Sequence, residues 1–405
     1  MTMPLEDAGR ARYTYRLRLS STAERALLAE WSRCRWVWNE CVAKSKQVHE
    51  YNRMHPDAKL TCGPAQLDKM LTEARAKTPW LAEGASVPQQ QTIRDFAGAR
   101  AKAIKDIDTR LPVGQRVGMP RHKKKRDALP TLNYTLRGFR IKDGRLVLAG
   151  GIKLTVILSR DLPSDPSSVR IYQDALGHWY CSFVVLAPSD ALHATGRVLG
   201  VDWGVTEIAT TTSDAHDLPH PQHGKVHAQK LARYQRQMAR RKPEMGKPAS
   251  KGYEKAKRNA AKAHKKIARC RRDDARKWAK KVVVDHDVIA VEDFKPKFLA
   301  KSTMARTAAD AAIGSAKREL VAMARKHGRE IRLVDPAHTT MDCAACGARA
   351  KHRLPLSERT YACSACGLIS PRDKNSARVM LVRAGLVPAG VEGMRLAGAL
   401  PQQAA

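Results

Sequence analysis

The sequence predicts a multidomain α/β protein, in which an N-terminal antiparallel β-barrel with a helical insertion precedes an α/β unit. Three observations predict this class. Short alternating segments flank a long helical stretch, apolar strands alternate with helices in the second half, and two pairs of cysteines lie near the C-terminus. At 405 residues the chain is long enough for several domains that each bury a core.

The barrel is predicted from residues that alternate between apolar and polar types. Residues 12–19 alternate aromatic or aliphatic side chains with basic ones, as in a half-buried strand with a positive outer face. Turn sequences such as Asp143-Gly144 separate later strand-like segments. These segments span residues 131–136, 138–142, 145–148, 152–157, 168–174 and 178–186. We expect the first strand to join them, with the helical unit inserted between.

The inserted helical unit is expected to begin at a capping box formed by Ser21 and Glu24. Further helices are predicted over residues 65–75 and 88–108, before a basic loop at 118–126. Three tryptophans of the first helix are predicted to be core residues, although base stacking by one of them stays open. They are Trp31, Trp36 and Trp38.

The second half is predicted to be α/β because apolar strands alternate with helices. Strands are expected at 198–205, 206–212, 282–291 and 330–334, with a helix at 305–327. Two basic helices, interrupted near Pro243 and Pro248, occupy residues 225–281, which hold 22 Lys and Arg but four acids. This imbalance favours a surface that tracks phosphates over an ordinary solvated face.

The net charge of +35 and pI of about 10.2 indicate a polyanionic partner, most simply nucleic acid, with an anionic membrane surface as the alternative. No apolar run approaches the ~18–20 residues that span a bilayer. The N-terminus lacks the apolar core of a signal peptide, so we expect a cytoplasmic protein without a membrane partner.

Four of the nine cysteines have the spacing C-x2-C-x16-C-x2-C, which predicts a tetrahedral zinc site. Four thiolates leave no open coordination position, so the zinc is expected to be structural. The ligands are Cys343, Cys346, Cys363 and Cys366. The other five cysteines are scattered singly and are predicted to be small core residues rather than disulfide-bonded.

Three acids stand out by their context. Asp202 lies in an apolar strand beside glycines, Glu292 ends another apolar strand, and Asp373 opens a helix after the cysteines. Acids at strand ends and at a helix start can converge at one edge of a sheet. Three ionised carboxylates that lie so close together would need cations to neutralise their charge. Two Mg²⁺ ions about 3.5–4 Å apart would supply this neutralisation, as in ribonuclease-H-like nucleases that hydrolyse phosphodiesters.

Each acid also has a structural interpretation. An acid after an apolar strand is more often a turn or cap residue, and Asp373 could simply cap its helix. Asp293 is the alternative to Glu292, although strand alternation points it the other way. The loop histidines His216, His220, His223 and His227 could bind metal, but their irregular spacing favours a solvated turn.

The ordered motifs resemble one family. They are Gly200-Val201-Asp202-Trp203-Gly204, Val291-Glu292-Asp293-Phe294, the two cysteine pairs with their following glycines, and Arg372-Asp373-Lys374-Asn375. Tyr13–Leu19, Cys34–Asn39 and Gly118–Lys123 extend the similarity over roughly residues 12–386. The set resembles the transposon-encoded TnpB (OrfB) nucleases and the related miniature type V CRISPR effectors.

The resemblance implies a domain order. It comprises a wedge-like β-barrel at 1–30 and 113–195 around a helical recognition unit at 31–112, then a RuvC-like (ribonuclease H fold) nuclease domain at 196–340 with the basic insertion 225–281, a zinc ribbon at 341–368, a last RuvC segment at 369–390, and a tail at 391–405 that is expected to be disordered.

The resemblance also implies an RNA-guided DNA endonuclease of the bacterial cytoplasm or nucleoid. A guide RNA would select target double-stranded DNA by base pairing beside a short motif that the protein reads. Asp202, Glu292 and Asp373 would bind two catalytic Mg²⁺ ions, and the four cysteines would bind one Zn²⁺. The sequence leaves open whether a homodimer acts on one RNA. It also leaves open whether the protein is encoded by a transposon or acts in antiviral defence as part of a CRISPR system.

Two other functions remain open. One is an RNA-guided DNA-binding repressor that does not cut, and the other is a protein-guided transposase or resolvase that uses the same acids. The sequence has Pro371 where family members commonly have an acid, two residues before Asp373. This departure weakly favours the repressor, whereas retention of all three acids favours the nuclease.

Overall fold

The computed structural model describes residues 9–125, 128–244, 247–293, 299, 302–355 and 357–386. The chain divides into two compact units, Gly9–Ala187 and the residues from Pro188 onward, each with its own core. The tail predicted to be disordered, 391–405, lies outside the described residues. Among the helices that are described, none is both long and apolar enough to cross a membrane.

The first unit contains an antiparallel sheet, and all seven predicted strands are confirmed to within two residues at each end. The strands are β1 (Arg10–Arg18), β2 (Thr131–Thr135), β3 (Phe139–Lys142), β4 (Arg145–Leu148), β5 (Lys153–Ile157), β6 (Ser168–Gln173) and β7 (Trp179–Leu186). Their order is β2-β6-β7-β1-β5-β4-β3. Across residues 9–125 and 128–187, no strand pairing joins the edge strands β2 and β3, so the expected barrel is a curled sheet.

The alternation in β1 places its two faces in different environments. Tyr15 and Leu17 lie in the core of the sheet, whereas Arg16 and Arg18 are exposed. Between β3 and β4, Asp143 and Gly144 both have positive φ, as a two-residue hairpin turn requires.

The inserted helices form a second core of their own. They are α1 (Ser21–Met54), α2 (Pro64–Lys77), α3 (Pro79–Ala82) and α4 (Ser86–Asp108). The predicted capping box is wrong by one residue, because Ser20 is the cap and accepts a hydrogen bond from the Ala23 N–H at 3.1 Å. Glu24 instead accepts from the Trp179 indole at 3.1 Å, a contact that the local sequence could not indicate.

The described residues of the second unit form a five-stranded mixed sheet, a two-stranded sheet and six α-helices. The elements are β8 (Val198–Trp203), β9 (Glu207–Thr211), β10 (Leu218–Pro219), α5 (His223–Val226), α6 (Ala228–Arg240), α7 (Lys251–Asp285), β11 (Val288–Glu292), α8 (Ala305–Ala311), α9 (Ile313–Lys326), β12 (Glu330–Val334), β13 (Thr360–Ala362), β14 (Ile369–Pro371) and α10 (Arg372–Arg383). This alternation confirms the predicted α/β class.

The larger sheet has the order β10-β9-β8-β11-β12. Strands β8, β11 and β12 are parallel, whereas β9 and β10 pair antiparallel to their neighbours. Parallel strands bring their carboxyl ends to one edge, and this edge positions the acids described below.

Two predicted elements are wrong. The strand predicted at 282–291 begins only at Val288, because Val282 and Val283 belong to the end of helix α7, where they continue the buried helical face that includes Trp278 and Ala279. The predicted helix at 305–327 is two helices, since Ala312 adopts a left-handed conformation with φ of 52°. At Val282 and Val283, burial of the helix face in the core outweighed the β propensity of valine.

Candidate functional site: a carboxylate site and a cysteine cluster

Two of the predicted acids meet at the carboxyl ends of neighbouring parallel strands. Val201 of β8 is opposite Val291 of β11, so Asp202 and Glu292 follow in the same register. The Trp203 N–H donates to the Glu292 carboxylate at 3.4 Å, which orients that side chain across the gap between the strands. Asp293 points elsewhere and pairs with Lys317 at 2.8 Å, as the strand alternation predicts.

The third acid is brought to the same edge by helix α10, in which Asp373 is the second residue. This helix packs directly on β8 at Gly200. A Cβ atom on Gly200 would overlap the backbone carbonyl oxygen of Ala377, so only glycine allows the helix to approach this closely. The close approach places Asp373 beside Asp202, although 170 residues lie between the two in the sequence.

Pro371 is compatible with this arrangement. It ends β14 and precedes the first turn of α10, with φ of −54° and ψ of 131°. That φ is the value to which a proline ring is restricted, so the residue fits without distortion.

The electrostatics show that the three carboxylates are close neighbours. Burial, followed by the charges of Glu292 and Asp373, raises the pKa of Asp202 well above its usual value, and Arg372 opposes the shift. Burial raises the pKa of Glu292 to about 7, although the Trp203 N–H and Lys317 lower it. Glu292 is only 7% exposed, whereas the Asp373 side chain is 36% exposed. Such a cluster disfavours full ionisation unless cations neutralise it.

Two arginines lie beside the carboxylates, and the sequence reasoning, which considered acids alone, missed them. Arg372 lies 3.9 Å and Arg359 lies 3.6 Å from Asp373. The Arg372 N–H donates to the Arg359 carbonyl at 2.8 Å, extending the β13–β14 ladder and holding Arg359 at this edge. The sequence does contain one signal of a basic environment, because two basic residues, Arg372 and Lys374, flank Asp373.

The four predicted cysteines form one cluster. Their sulfur atoms all lie within 4.8 Å of one another, with Cys343–Cys366 at 3.7 Å and Cys346–Cys363 at 3.6 Å. Zinc–sulfur bonds of about 2.3 Å in a tetrahedron place sulfur atoms about 3.8 Å apart. The cluster therefore has the size and donor set of a structural zinc site.

Two matching turns build this cluster. The N–H of Cys343 donates to Ala348 and that of Cys363 donates to Leu368, both at 2.9 Å. Gly347 and Gly367 follow the cysteine pairs with φ of 74° and 76°, a conformation that favours glycine. The C-x2-C-G repeat thus encodes each half of the cluster locally.

Asn375 connects the cysteine cluster to α10. Its side chain is fully buried, accepts from the Ala344 N–H at 3.1 Å and donates to the Asp342 carbonyl at 2.8 Å. Since Asn375 lies two residues after Asp373, the first cysteine turn and the carboxylate site share one rigid element.

The loop histidines do not form a common site. His216 bonds Asp285 at 2.8 Å, His223 bonds Asp274 at 2.6 Å, and His220 bonds the Val205 carbonyl at 2.8 Å. His216 is buried, so the expected solvated turn is wrong for this residue. In the described part of the chain, the four cysteines are the one set of His, Cys, Asp or Glu residues whose ligand atoms all lie within 4.8 Å of one another; the carboxylates of Asp202, Glu292 and Asp373 are not gathered as closely.

Two family models match parts of this chain, and the matched ranges include the residues of both sites. A family model described as "Probable transposase" (OrfB_IS605) matches residues 182–303, which include Asp202 and Glu292. A model described as "Cas12f1-like, TNB domain" matches residues 314–380, which include the four cysteines and Asp373. The resemblance to the OrfB (TnpB) family is confirmed.

Three relatives of this OrfB-like chain are informative. A Streptomyces pristinaespiralis protein named "Putative RNA-guided DNA endonuclease" is 28% identical over 78% of this chain and 76% of its own. The Escherichia coli K12 protein named "Putative RNA-guided DNA endonuclease InsQ" is 27% identical over 86% of each chain. The Allomeiothermus silvanus "CRISPR-associated DNA-binding protein Cas12m" is 34% identical over 30% of this chain and 24% of its own.

Proposed function

We propose that the protein is an RNA-guided DNA endonuclease whose cleavage centre consists of Asp202, Glu292 and Asp373. The observation that carries this proposal is the convergence of three acids, distant in sequence, at one edge of a parallel sheet. The family match and the names of two relatives support the choice of reaction.

The carboxylates fit divalent cations. Three carboxylates in a half-buried site offer hard oxygen ligands. Burial raises the pKa of Asp202 and of Glu292, and the charges of Glu292 and Asp373 raise that of Asp202 further, a repulsion that bound cations would remove. Two Mg²⁺ ions bound here would supply nucleophile activation and stabilisation of the leaving oxygen in phosphodiester hydrolysis.

The chain's own residues position this centre. The Trp203 N–H and the Lys317 ammonium, which donates to the Glu292 carbonyl at 3.3 Å, fix Glu292. Arg359 lies beside Asp373 and is more than half exposed, so we propose that it donates hydrogen bonds to a phosphate oxygen of the DNA backbone. The four cysteines are proposed to bind one structural Zn²⁺, which would rigidify the segment that leads into α10.

Helix α7 supports a nucleic-acid partner. One face carries exposed cations at intervals of three or four residues, which are neighbours on a helix. These are Lys255, Arg258, Lys262, Lys266 and Arg269. The opposite face packs Trp278 and Val282 into the core of the second unit. A continuous row of cations on a rigid helix suits a nucleic-acid backbone.

The proposed domain organisation follows from these elements. The strand order β10-β9-β8-β11-β12, with acids at the ends of β8 and β11, supports a RuvC-like nuclease domain interrupted by the zinc ribbon. The curled sheet of the first unit and its inserted helices support the wedge-like and recognition assignments. Guide RNA and double-stranded DNA are the proposed partners.

The second candidate is an RNA-guided DNA-binding protein without cleavage activity. It is favoured by the similarity to a protein named as DNA-binding and by Pro371, which replaces an acid near Asp373. Retention of the three acids in one cluster favours the nuclease instead.

One experiment separates the two candidates. The protein is purified from cells, its bound RNA is sequenced, and cleavage of a matching DNA duplex is measured with Mg²⁺. Cleavage that Asp202→Asn abolishes, with DNA binding retained, is the expected result. The matched control is Asp190→Asn, which changes an exposed acid outside the carboxylate site. Bound RNA without cleavage would identify the binding protein, and absence of RNA would refute guidance.

A further inference from the structure

Two sequence motifs that the cleavage centre does not use contact each other in the first unit. One is the face of α1 that carries Arg35, Trp38 and Asn39, and the other is the basic segment 117–125, which we call the basic strap. The Trp38 indole donates to the Arg121 carbonyl at 2.9 Å. Asn39 accepts from the Lys123 N–H at 2.8 Å, and the Arg35 guanidinium donates to the Lys123 carbonyl at 3.2 Å.

Lys123 is the central residue of this contact. Its ammonium lies 3.6 Å from the ring centroid of Trp38 and 5.4 Å from that of Trp31, so two indole rings bind it through cation–π contacts. The Val117 N–H, at the start of the strap, donates to Asp106 of α4 at 2.7 Å. A segment without regular secondary structure is therefore fixed at its start, at Arg121 and at Lys123.

The fixed strap displays its other cations to solvent. Arg121, His122, Lys124 and Lys125 are exposed, whereas Lys123 is half-buried between the rings. Holding a cationic loop in one conformation costs conformational entropy and brings like charges together. A bound anionic ligand would offset the repulsion between these charges. Because the whole chain carries +35, a polyanion is the complementary partner.

We propose that the basic strap is a preorganised binding site for a nucleic-acid sugar–phosphate backbone, with Arg121, Lys124 and Lys125 contacting phosphates and Asn39 and Lys123 acting as positioning residues. This inference rests on the proposed function, since it assigns one contact surface of the same nucleic-acid complex. The backbone could belong to RNA or to duplex DNA, which present the same phosphate chemistry.

The test measures binding of the full-length, nucleic-acid-free chain to a labelled single-stranded RNA and, separately, to a labelled DNA duplex of the same sequence. Each lost phosphate contact lowers the slope of log K against log salt by about 0.7 for single strands and about 0.9 for duplex. We expect Lys124→Gln/Lys125→Gln to lower the slope by about 1.4 with RNA or about 1.8 with DNA, since two contacts are lost. The ligand with the changed slope is the partner.

Two further variants make the test specific. Lys69→Gln/Lys77→Gln removes the same charge from exposed positions on α2 and is expected to leave the slope unchanged. Asn39→Ala keeps every charge but releases the strap, and it is expected to lower the slope as well. Thermal unfolding of each variant shows whether the first unit stays folded.

The outcomes distinguish this inference from the proposed function. If the strap variant and the α2 variant give the same slope with both ligands, the strap is no phosphate site, whatever the cleavage assay shows. A changed slope in a chain that cuts no DNA would support the strap and refute the nuclease. Should Asn39→Ala fail to fold, the double lysine variant still decides the question.

Discussion

The cysteine cluster and the carboxylate site lie in the same compact unit, but they are assembled in opposite ways. The cysteines come from two local turns of identical design, C-x2-C-G, that face each other within 25 residues of chain. The acids come from two strands and a helix that meet only when the sheet forms and α10 packs on it. A local motif thus encodes one site, and long-range packing encodes the other.

The largest expected effect comes from breaking the packing that builds the carboxylate site. Gly200→Ala would drive a methyl group into the Ala377 carbonyl, forcing α10 away from β8. We expect a loss of about 3 kcal/mol or more in the free energy of unfolding, together with loss of DNA cleavage. Urea unfolding and a cleavage assay measure the two effects.

The matched control is Gly98→Ala in α4, where nothing lies within 4 Å of the added Cβ. There we expect a gain of roughly 0.5–1 kcal/mol, since alanine is the better helix former. Equal effects of the two substitutions would contradict the role of close approach at Gly200.

The next effect concerns the local site. Cys343→Ser removes one of four thiolates, so we expect zinc content to fall from about one ion per chain to near zero. Zinc is measured by metal analysis of the purified protein. Cys270→Ser, which changes a lone cysteine of α7, is the control and should retain the metal. Full zinc content in the Cys343→Ser variant would disprove the assignment.

Asn375→Ala tests how strongly the two sites are connected. It removes the two hydrogen bonds that Asn375 makes to the first cysteine turn and leaves the buried Ala344 N–H without its partner. We expect a loss of about 2–3 kcal/mol in unfolding free energy and reduced cleavage, with zinc retained. Loss of zinc instead would mean that the cysteine cluster depends on α10 for its own assembly.

The smallest expected effect is a gain in stability. Burial raises the pKa of Glu292 to about 7, so the metal-free fold favours the protonated form of this residue. The resulting stabilisation is fully present at pH values below the ordinary glutamate pKa, and it is lost as pH rises through about 7. Glu292→Gln should therefore stabilise the metal-free protein by on the order of 2 kcal/mol near pH 8, and by little near pH 5.

Urea unfolding in a chelating buffer at the two pH values measures this gain. Adding Mg²⁺ should stabilise the wild-type protein more than the Glu292→Gln variant, because only the wild type keeps all three carboxylates. A destabilised variant near pH 8 would show that the hydrogen bond from Trp203 outweighs the cost of burying the ionised carboxylate.

The sequence by itself determined the elements and the chemistry of the residues. Alternation predicted seven strands of the first unit, cysteine spacing predicted the cysteine cluster, and the context of Asp202, Glu292 and Asp373 singled out these acids. Local patterns sufficed because strand alternation and cysteine turns are properties of a few adjacent residues. The same patterns wrongly predicted a strand at Val282 and Val283, which are buried residues of helix α7.

Only the tertiary structure decided which residues meet. Glu292 faces Asp202 while Asp293 faces Lys317, Arg359 reaches Asp373 from the cysteine-containing segment, and the basic strap lies across the tryptophans of α1. These contacts join residues that are far apart in sequence, and no local preference encodes them. They depend on strand register and on the close approach at Gly200, which exist only once the sheet and helices have packed.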